Sequence, residues 1–163
     1  MTLAVVQSSG MLSDFTAIPT QVEVHVGSQR SLPGFHIVDL PLGKSRLERQ
    51  ALDRLRAAIM NSGFKWPVRS ITVLVPGVSS VTSRSDLPIA MAVLAASGQF
   101  PAFGGLIDTC RFVGGLWLSG NVNEVEGDLW PGTIRIDGQL GINLRYVVEA
   151  VSCVVALTSG VVR

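Results

Sequence analysis

The chain has 163 residues, enough to bury a full core, and its 47% apolar against 15% charged residues exclude an intrinsically disordered chain. A formal net charge of +1 gives no global electrostatic drive toward nucleic acid or a membrane surface. Lysine occurs only at Lys44 and Lys65, so planar, hydrogen-bonding arginines supply most of the positive charge.

Cys110 and Cys153 lack metal-ligand spacing and read as buried thiols of a reducing compartment. The first ten residues carry no basic start, and Leu3 to Val6 is too short for a secretory core. The longest uncharged run, Leu87 to Ile107, is broken by Gly98, Pro101 and Gly104-Gly105. It reads as a buried helix and a loop rather than a membrane span. The expectation is one cytoplasmic domain over residues 1–163.

Leu3 to Gln7 predicts a short strand turned by Ser8-Ser9-Gly10. Thr16 to Val26 contains the cleanest alternation in the sequence, with Val22, Val24 and Val26 on one face and Gln21, Glu23 and His25 on the other. That pattern predicts a half-buried strand of an antiparallel pair or sheet edge, with His25 on the wet face. After a turn closed by Pro33-Gly34, Phe35 to Leu40 predicts the next strand, ended by Pro41. Lys44 to Met60 is an amphipathic helix with an inner stripe of Leu47, Ala51, Leu55, Ala58 and Ile59. Arg46, Arg49, Gln50, Asp53 and Arg54 are expected to point outward.

Ser70 to Val75 is β-branched and predicts a central, fully buried strand, followed by a polar loop from Pro76 to Arg84. Ser85 to Gly98 then predicts a helix. Ser85 is the expected cap, Asp86 sits on the positive end of the dipole, Pro88 lies in the first turn and Gly98 is the stop. Its apolar residues lie on every side, the pattern of a buried helix. Arg111 to Leu118 predicts a strand interrupted at Gly114-Gly115 and turned at Ser119-Gly120, with a short extended piece between Val122 and Val125. Leu129 to Gln139 is assigned a helix against the pull of Pro131, Gly132 and Gly138. Leu144 to Val148 and Val151 to Leu157 are assigned as the last strands.

The residues offer little chemistry. Neither His25 nor His36 has an acid partner in the sequence, and no GxSxG elbow, Cys/His cluster or GxxxxGK[ST] loop occurs. The helix starting at Lys44 carries Lys44, Arg46, Arg49, Arg54 and Arg56 against Glu48 and Asp53, an excess of three positive charges. Its plainer reading is a solvated face with Arg49–Asp53 and Lys44–Glu48 pairs; its sharper reading is a phosphate-contacting face.

Three segments carry a family resemblance: Leu32-Pro33-Gly34-Phe35-His36-Ile37-Val38-Asp39-Leu40-Pro41, Arg56-Ala57-Ala58-Ile59-Met60-Asn61-Ser62-Gly63-Phe64 and Asp86-Leu87-Pro88-Ile89-Ala90 through Ser97-Gly98. In order and spacing they resemble the N-terminal domain of the magnesium-chelatase-like AAA+ ATPases, the ComM/YifB family. Gly114-Gly115-Leu116-Trp117-Leu118-Ser119-Gly120 is similar to that family's later hairpin. The resemblance runs from about residue 3 to about residue 148. It implies an α/β (α+β) fold of the ribosomal-protein-S5 domain 2-like group, a Lon protease-like domain with a mixed sheet and packed helices.

It also implies where a Lon-type Ser–Lys dyad would lie. Ile89 stands at the position matching the serine and Leu129 at the one matching the lysine, so neither nucleophile nor base is there. The chain departs from the family pattern over Pro76 to Arg84 and at Asp39, where the family has glycine. After about Leu140 it reads as too compressed for the family's last helix. The family's AAA+ module is absent, and ATP and magnesium are implied only for that module, with no cofactor for this chain. The resulting expectation is a non-catalytic accessory domain serving assembly or DNA guidance for a branch-migration motor in natural transformation. Its partners would be the rest of the ATPase, further copies of itself and DNA, with no membrane; any DNA contact would fall on Lys44, Arg46, Arg49, Arg54 and Arg56. Two alternatives stand beside it. One is a Lon-like peptidase using Ser83 or Ser85; the other is a stand-alone interaction module using the Phe103–Gly105 and Pro76–Arg84 loops.

Overall fold

The computed structural model describes residues 3–12, 14–38, 45–76, 83–100 and 110–158. Its strands are β1 (Leu3–Met11), β2 (Ala17–Val26), β3 (Gly34–Ile37), β4 (Ser70–Leu74), β5 (Arg111–Phe112), β6 (Gly115–Leu116), β7 (Val122–Asn123) and β8 (Thr133–Ile134). Its helices are α1 (Ser45–Asn61), α2 (Asp86–Ala96) and α3 (Leu144–Thr158). The main sheet runs β3-β4-β2-β1-β5-β8, and β6 and β7 pair as a separate hairpin. β1–β2 and β2–β4 are antiparallel, while β3–β4, β1–β5 and β5–β8 are parallel. The chain is therefore a mixed α/β fold, as expected at that level.

The alternation in β2 sets the sheet's register. Val22 faces Val6, Val24 faces Ala4 on one side and Val73 on the other, and Ile37 faces Val73 from β3. All of these side chains are buried on one face, joined by Ile71 and Val26. The opposite face carries Gln21, Glu23 and an exposed His25. β2 is an interior strand rather than an edge, and β4 is buried on one face rather than both. Every residue of α2 is buried, which explains why its apolar residues encircle it.

Several expectations are corrected. Ser8, Ser9 and Gly10 do not turn the chain, because β1 pairs with β2 without a break as far as Met11. The two buried hydroxyls serve cross-chain bonds instead: Ser8 Oγ donates to the Phe112 carbonyl at 2.8 Å, and Ser9 Oγ accepts the Trp130 amide at 2.9 Å. β3 ends at Ile37, and residues 39–44 lie outside the described part. Leu47 is exposed rather than part of the inner stripe. No helix forms over Leu129 to Gln139, where Pro131 and Gly132 interrupt the chain; it makes β8 and a 3-10 turn at Gly138–Leu140.

The largest correction is α3. Leu144–Thr158 is a single helix, not two strands, and it occupies the part of the chain that reads as too short for a last helix. Leu144, Val147, Val148 and Val151 are buried at i, i+3, i+4, i+7 spacing, so helical period overrides the β-branched preference of the valines. Asn143 starts it: Oδ1 accepts the Arg145 amide at 3.0 Å, while Nδ2 donates to the Ser119 carbonyl at 3.1 Å. Asn143→Ala removes these bonds and a third, from Nδ2 to Asn121 Oδ1 at 3.2 Å, and is expected to cost about 1–2 kcal/mol, read as a lower urea midpoint with an unchanged slope. A midpoint equal to wild type would show that the cap contributes nothing.

Candidate functional site

Helix α1 divides its arginines between two jobs. Ala51, Arg54, Leu55 and Ala58 lie at i, i+3, i+4, i+7 spacing, so Arg54 belongs to the inward stripe and not to the wet face. Its Nε donates to Asp86 Oδ2 at 3.0 Å and its Nη2 to Asp86 Oδ1 at 3.2 Å. Asp86 is fully buried and also accepts the Leu116 amide at 3.4 Å, which ties α1, α2 and β6 together. Burial pushes the Asp86 carboxyl above its ordinary range, and the Arg54 bonds and charge pull it back down. Arg54 is thereby half-buried, with its guanidinium committed to Asp86.

Arg46, Arg49 and Arg56 remain exposed. Lys44 lies outside the described residues, and Arg49–Asp53 is not among the ion pairs of the described residues. Arg49, Leu52 and Arg56 share one stripe that faces β3. A cavity of about 530 Å³ is lined by Phe35, Arg46, Glu48, Arg49 and Leu52. A neighbouring one of about 270 Å³ is lined by Phe35, Leu52, Arg56, Trp66 and Arg69 among others. Phe35 and Leu52 belong to both, so the two form one groove between α1 and the outer edge of the sheet. Phe35 and Trp66 pack there with ring centroids 6.1 Å apart and planes tilted by 45°. Glu48 closes the upper end: it accepts the Ile37 amide at 3.0 Å and lies 3.4 Å from His36 Nδ1. That carboxylate occupies an amide of an edge strand that would otherwise be open to pairing.

The start of α2 is built differently. Gly114 donates to the Arg84 carbonyl at 3.0 Å and accepts the Leu87 amide at 2.9 Å, so the strand segment runs directly over the helix start. A Cβ on Gly114 would lie 3.0 Å from Val122 Cγ1. Ser85 stands at the cap position with helical backbone angles, but its side chain makes no capping bond; the expected cap is corrected. Ile89 is fully buried, Leu129 is half-buried and Ser83 is exposed. Lys65 sits against Gln99, beyond the far end of α2, with its amide donating to Gln99 Oε1 at 2.9 Å. An eleven-residue helix spans about 16 Å, so Ser85 and Lys65 lie at opposite ends of it. The Phe103–Gly105 loop and residues 77–82 fall outside the described part.

Comparison with known proteins bears on both regions. The family model for subunit ChlI of Mg-chelatase matches residues 22–135, which include the second half of β2, α1, α2 and the β6–β7 hairpin. The chain belongs to the Mg-chelatase ChlI family. It is 38% identical over 138 residues to the uncharacterized protein YifB of Escherichia coli K12, covering 83% of this chain and 26% of that protein. It is 38% identical over 129 residues to competence protein ComM of Haemophilus influenzae, covering 78% of this chain and 24% of that one. An uncharacterized protein of Mycobacterium tuberculosis H37Rv matches at 30% over 125 residues, covering 69% and 24%. The chain thus spans about a quarter of the length of the curated relatives it matches.

The sequence has no GxxxxGK[ST] loop, and among the described residues no three His, Cys, Asp or Glu side chains gather to hold an ion. No described helix is long and apolar enough to cross a membrane. Sequence reasoning missed Phe35, Trp66 and Arg69, because the groove joins a strand, a helix and a loop distant in sequence. The inward turn of Arg54 was readable in principle from its spacing to Ala51 and Ala58.

Proposed function

We propose that this ChlI-family chain is a non-catalytic accessory domain of a ComM/YifB-type AAA+ ATPase, with an S5 domain 2-like, Lon-like fold. In the assembled oligomer, in the cytoplasm, it helps to guide DNA for the motor during natural transformation. The observation that carries the reading is the exposure of Arg46, Arg49 and Arg56 along α1, next to a groove whose acid, Glu48, is already bonded to β3. These three arginines outnumber Glu48 and Asp53, the acids of the described part of α1, and exposed arginines in excess bind phosphate and release counterions. The non-catalytic part is supported by Ile89 in the core and by the separation of Ser85 from Lys65.

Fluorescence anisotropy with labelled DNA at low salt tests the reading. The chain is expected to bind, and reversing Arg49 and Arg56 together to glutamate is expected to weaken binding at least tenfold. Every arginine–phosphate pairing removed is expected to flatten the salt dependence by roughly 0.7–0.9 of a log unit per decade. Absence of binding to any DNA at low salt would remove DNA guidance from the proposal. Casein cleavage abolished by Ser85→Ala would overturn its non-catalytic part.

A further inference from the structure

We infer that the groove between α1 and β3 takes single-stranded nucleic acid, with a base stacked against Trp66 and Phe35 and phosphates held by Arg49, Arg56 and Arg69. The inference rests on the reading of α1 as a nucleic-acid face and states which form of nucleic acid that face selects.

The chemistry of the groove decides the class of occupant. Its rim carries Arg46, Arg49, Arg56 and Arg69, and its floor is Phe35, Leu52 and Trp66. Among the described residues Glu48 is the acid lining it, and its carboxylate is engaged by the Ile37 amide and by His36. The rim is therefore complementary to a polyanion. The floor adds a second requirement. The tilted Phe35–Trp66 pair leaves part of its ring surface lining the cavity, and ring surface gains most from another planar ring. A duplex buries the faces of its bases and offers only edges and backbone, whereas an unpaired strand can lay a base face on an indole. An acidic peptide would satisfy the arginines and gain much less from the floor. Arg46 and Arg56 lie ten residues apart on α1, about 15 Å of helix, so the cations follow a path rather than a point.

The decisive experiment isolates Trp66. The chain has three tryptophans, and Trp117→Phe with Trp130→Phe leaves Trp66 as the only indole. An oligothymidylate of about 12 nucleotides, within the footprint range of single-strand binders, is titrated at low salt against a duplex of equal length. The strand is expected to quench Trp66 emission and to bind more tightly than the duplex. In the otherwise unchanged chain, Trp66→Leu is expected to weaken strand binding about tenfold. Arg69→Ala is expected to lower the salt slope by about 0.7 while leaving the quenching at saturation intact. If the strand binds with Trp66 emission unchanged, or if the duplex binds as tightly with the same quenching, the inference falls and the α1 face survives. Equal quenching by polyglutamate would assign the groove to an acidic peptide and overturn it. No binding of strand or duplex would remove the nucleic-acid reading of α1 as well.

Discussion

Arg54→Ala is expected to destabilise the chain by about 2–3 kcal/mol near pH 7, and by clearly less near pH 4. The cause is the carboxylate left behind. Asp86 is fully buried at the start of α2, and without Arg54 its remaining partner among the described residues is the Leu116 amide at 3.4 Å. Removing one partner of a buried pair costs about 3–5 kcal/mol, and the lower figure used here allows for Arg54 being 33% exposed. The pH dependence follows from the direction of the Asp86 shift. Burial raises its carboxyl above the ordinary 3.8, so the folded state holds the proton more tightly than the unfolded chain. Stability from this group is therefore full below 3.8 and is lost as pH rises through the raised value. Loss of Arg54 removes an opposing charge and moves the folded value higher still. The penalty then develops across the acid range and is complete only when both variants carry the ionised form. Urea unfolding of both proteins at the two pH values measures it, and an equal penalty at both would refute the assignment. Arg54→Met with Asp86→Leu, which leaves no charge behind, is expected to recover most of the loss.

The second large effect is expected at Gly120. It adopts φ +90°, a region that disfavours side chains, and a Cβ there would overlap Ser62 Oγ and lie 2.9 Å from the Ala58 carbonyl. Its carbonyl accepts the Leu144 amide at 2.8 Å and its amide donates to the Trp117 carbonyl at 2.9 Å. The turn of the β6–β7 hairpin is thus wedged between the end of α1 and the start of α3. Gly120→Ala adds backbone strain to an overlap that only movement of α1 or the hairpin relieves. The expected cost is about 3 kcal/mol, the sum of a left-handed penalty and an overpacking penalty. Ser62→Ala in the same chain removes the nearest atom and is expected to return only part of it, because the Ala58 carbonyl and the φ remain. Thermal unfolding of the single and double variants measures both steps, and a single variant as stable as wild type would show that the hairpin adapts freely.

Local pattern made much of this fold legible. Val22, Val24 and Val26 announced a strand buried on one face, and α2 announced itself as a buried helix by being apolar all round. Local pattern failed where two periods competed. Val147, Val148 and Val151 are good strand formers, and only their buried spacing with Leu144 resolves them into α3. It failed again at Ser8 and Ser9, polar residues that resemble a turn until Phe112 and Trp130 supply partners more than a hundred residues away. The basic helix was visible, but the groove was not.

By itself the sequence determined the family, the amphipathic helix with its arginines, the buried helix and the isoleucine at the position matched to a nucleophile. Each of these is a property of residue type and spacing along a few turns of chain. Only the tertiary structure decided which arginine is spent on the core. It withdrew Arg54 to Asp86, left Arg46, Arg49 and Arg56 outside, and brought Phe35, Trp66 and Arg69 to the same groove. The reason is physical: a buried carboxylate must have a cation or many donors beside it, and which cation reaches it depends on how two helices pack.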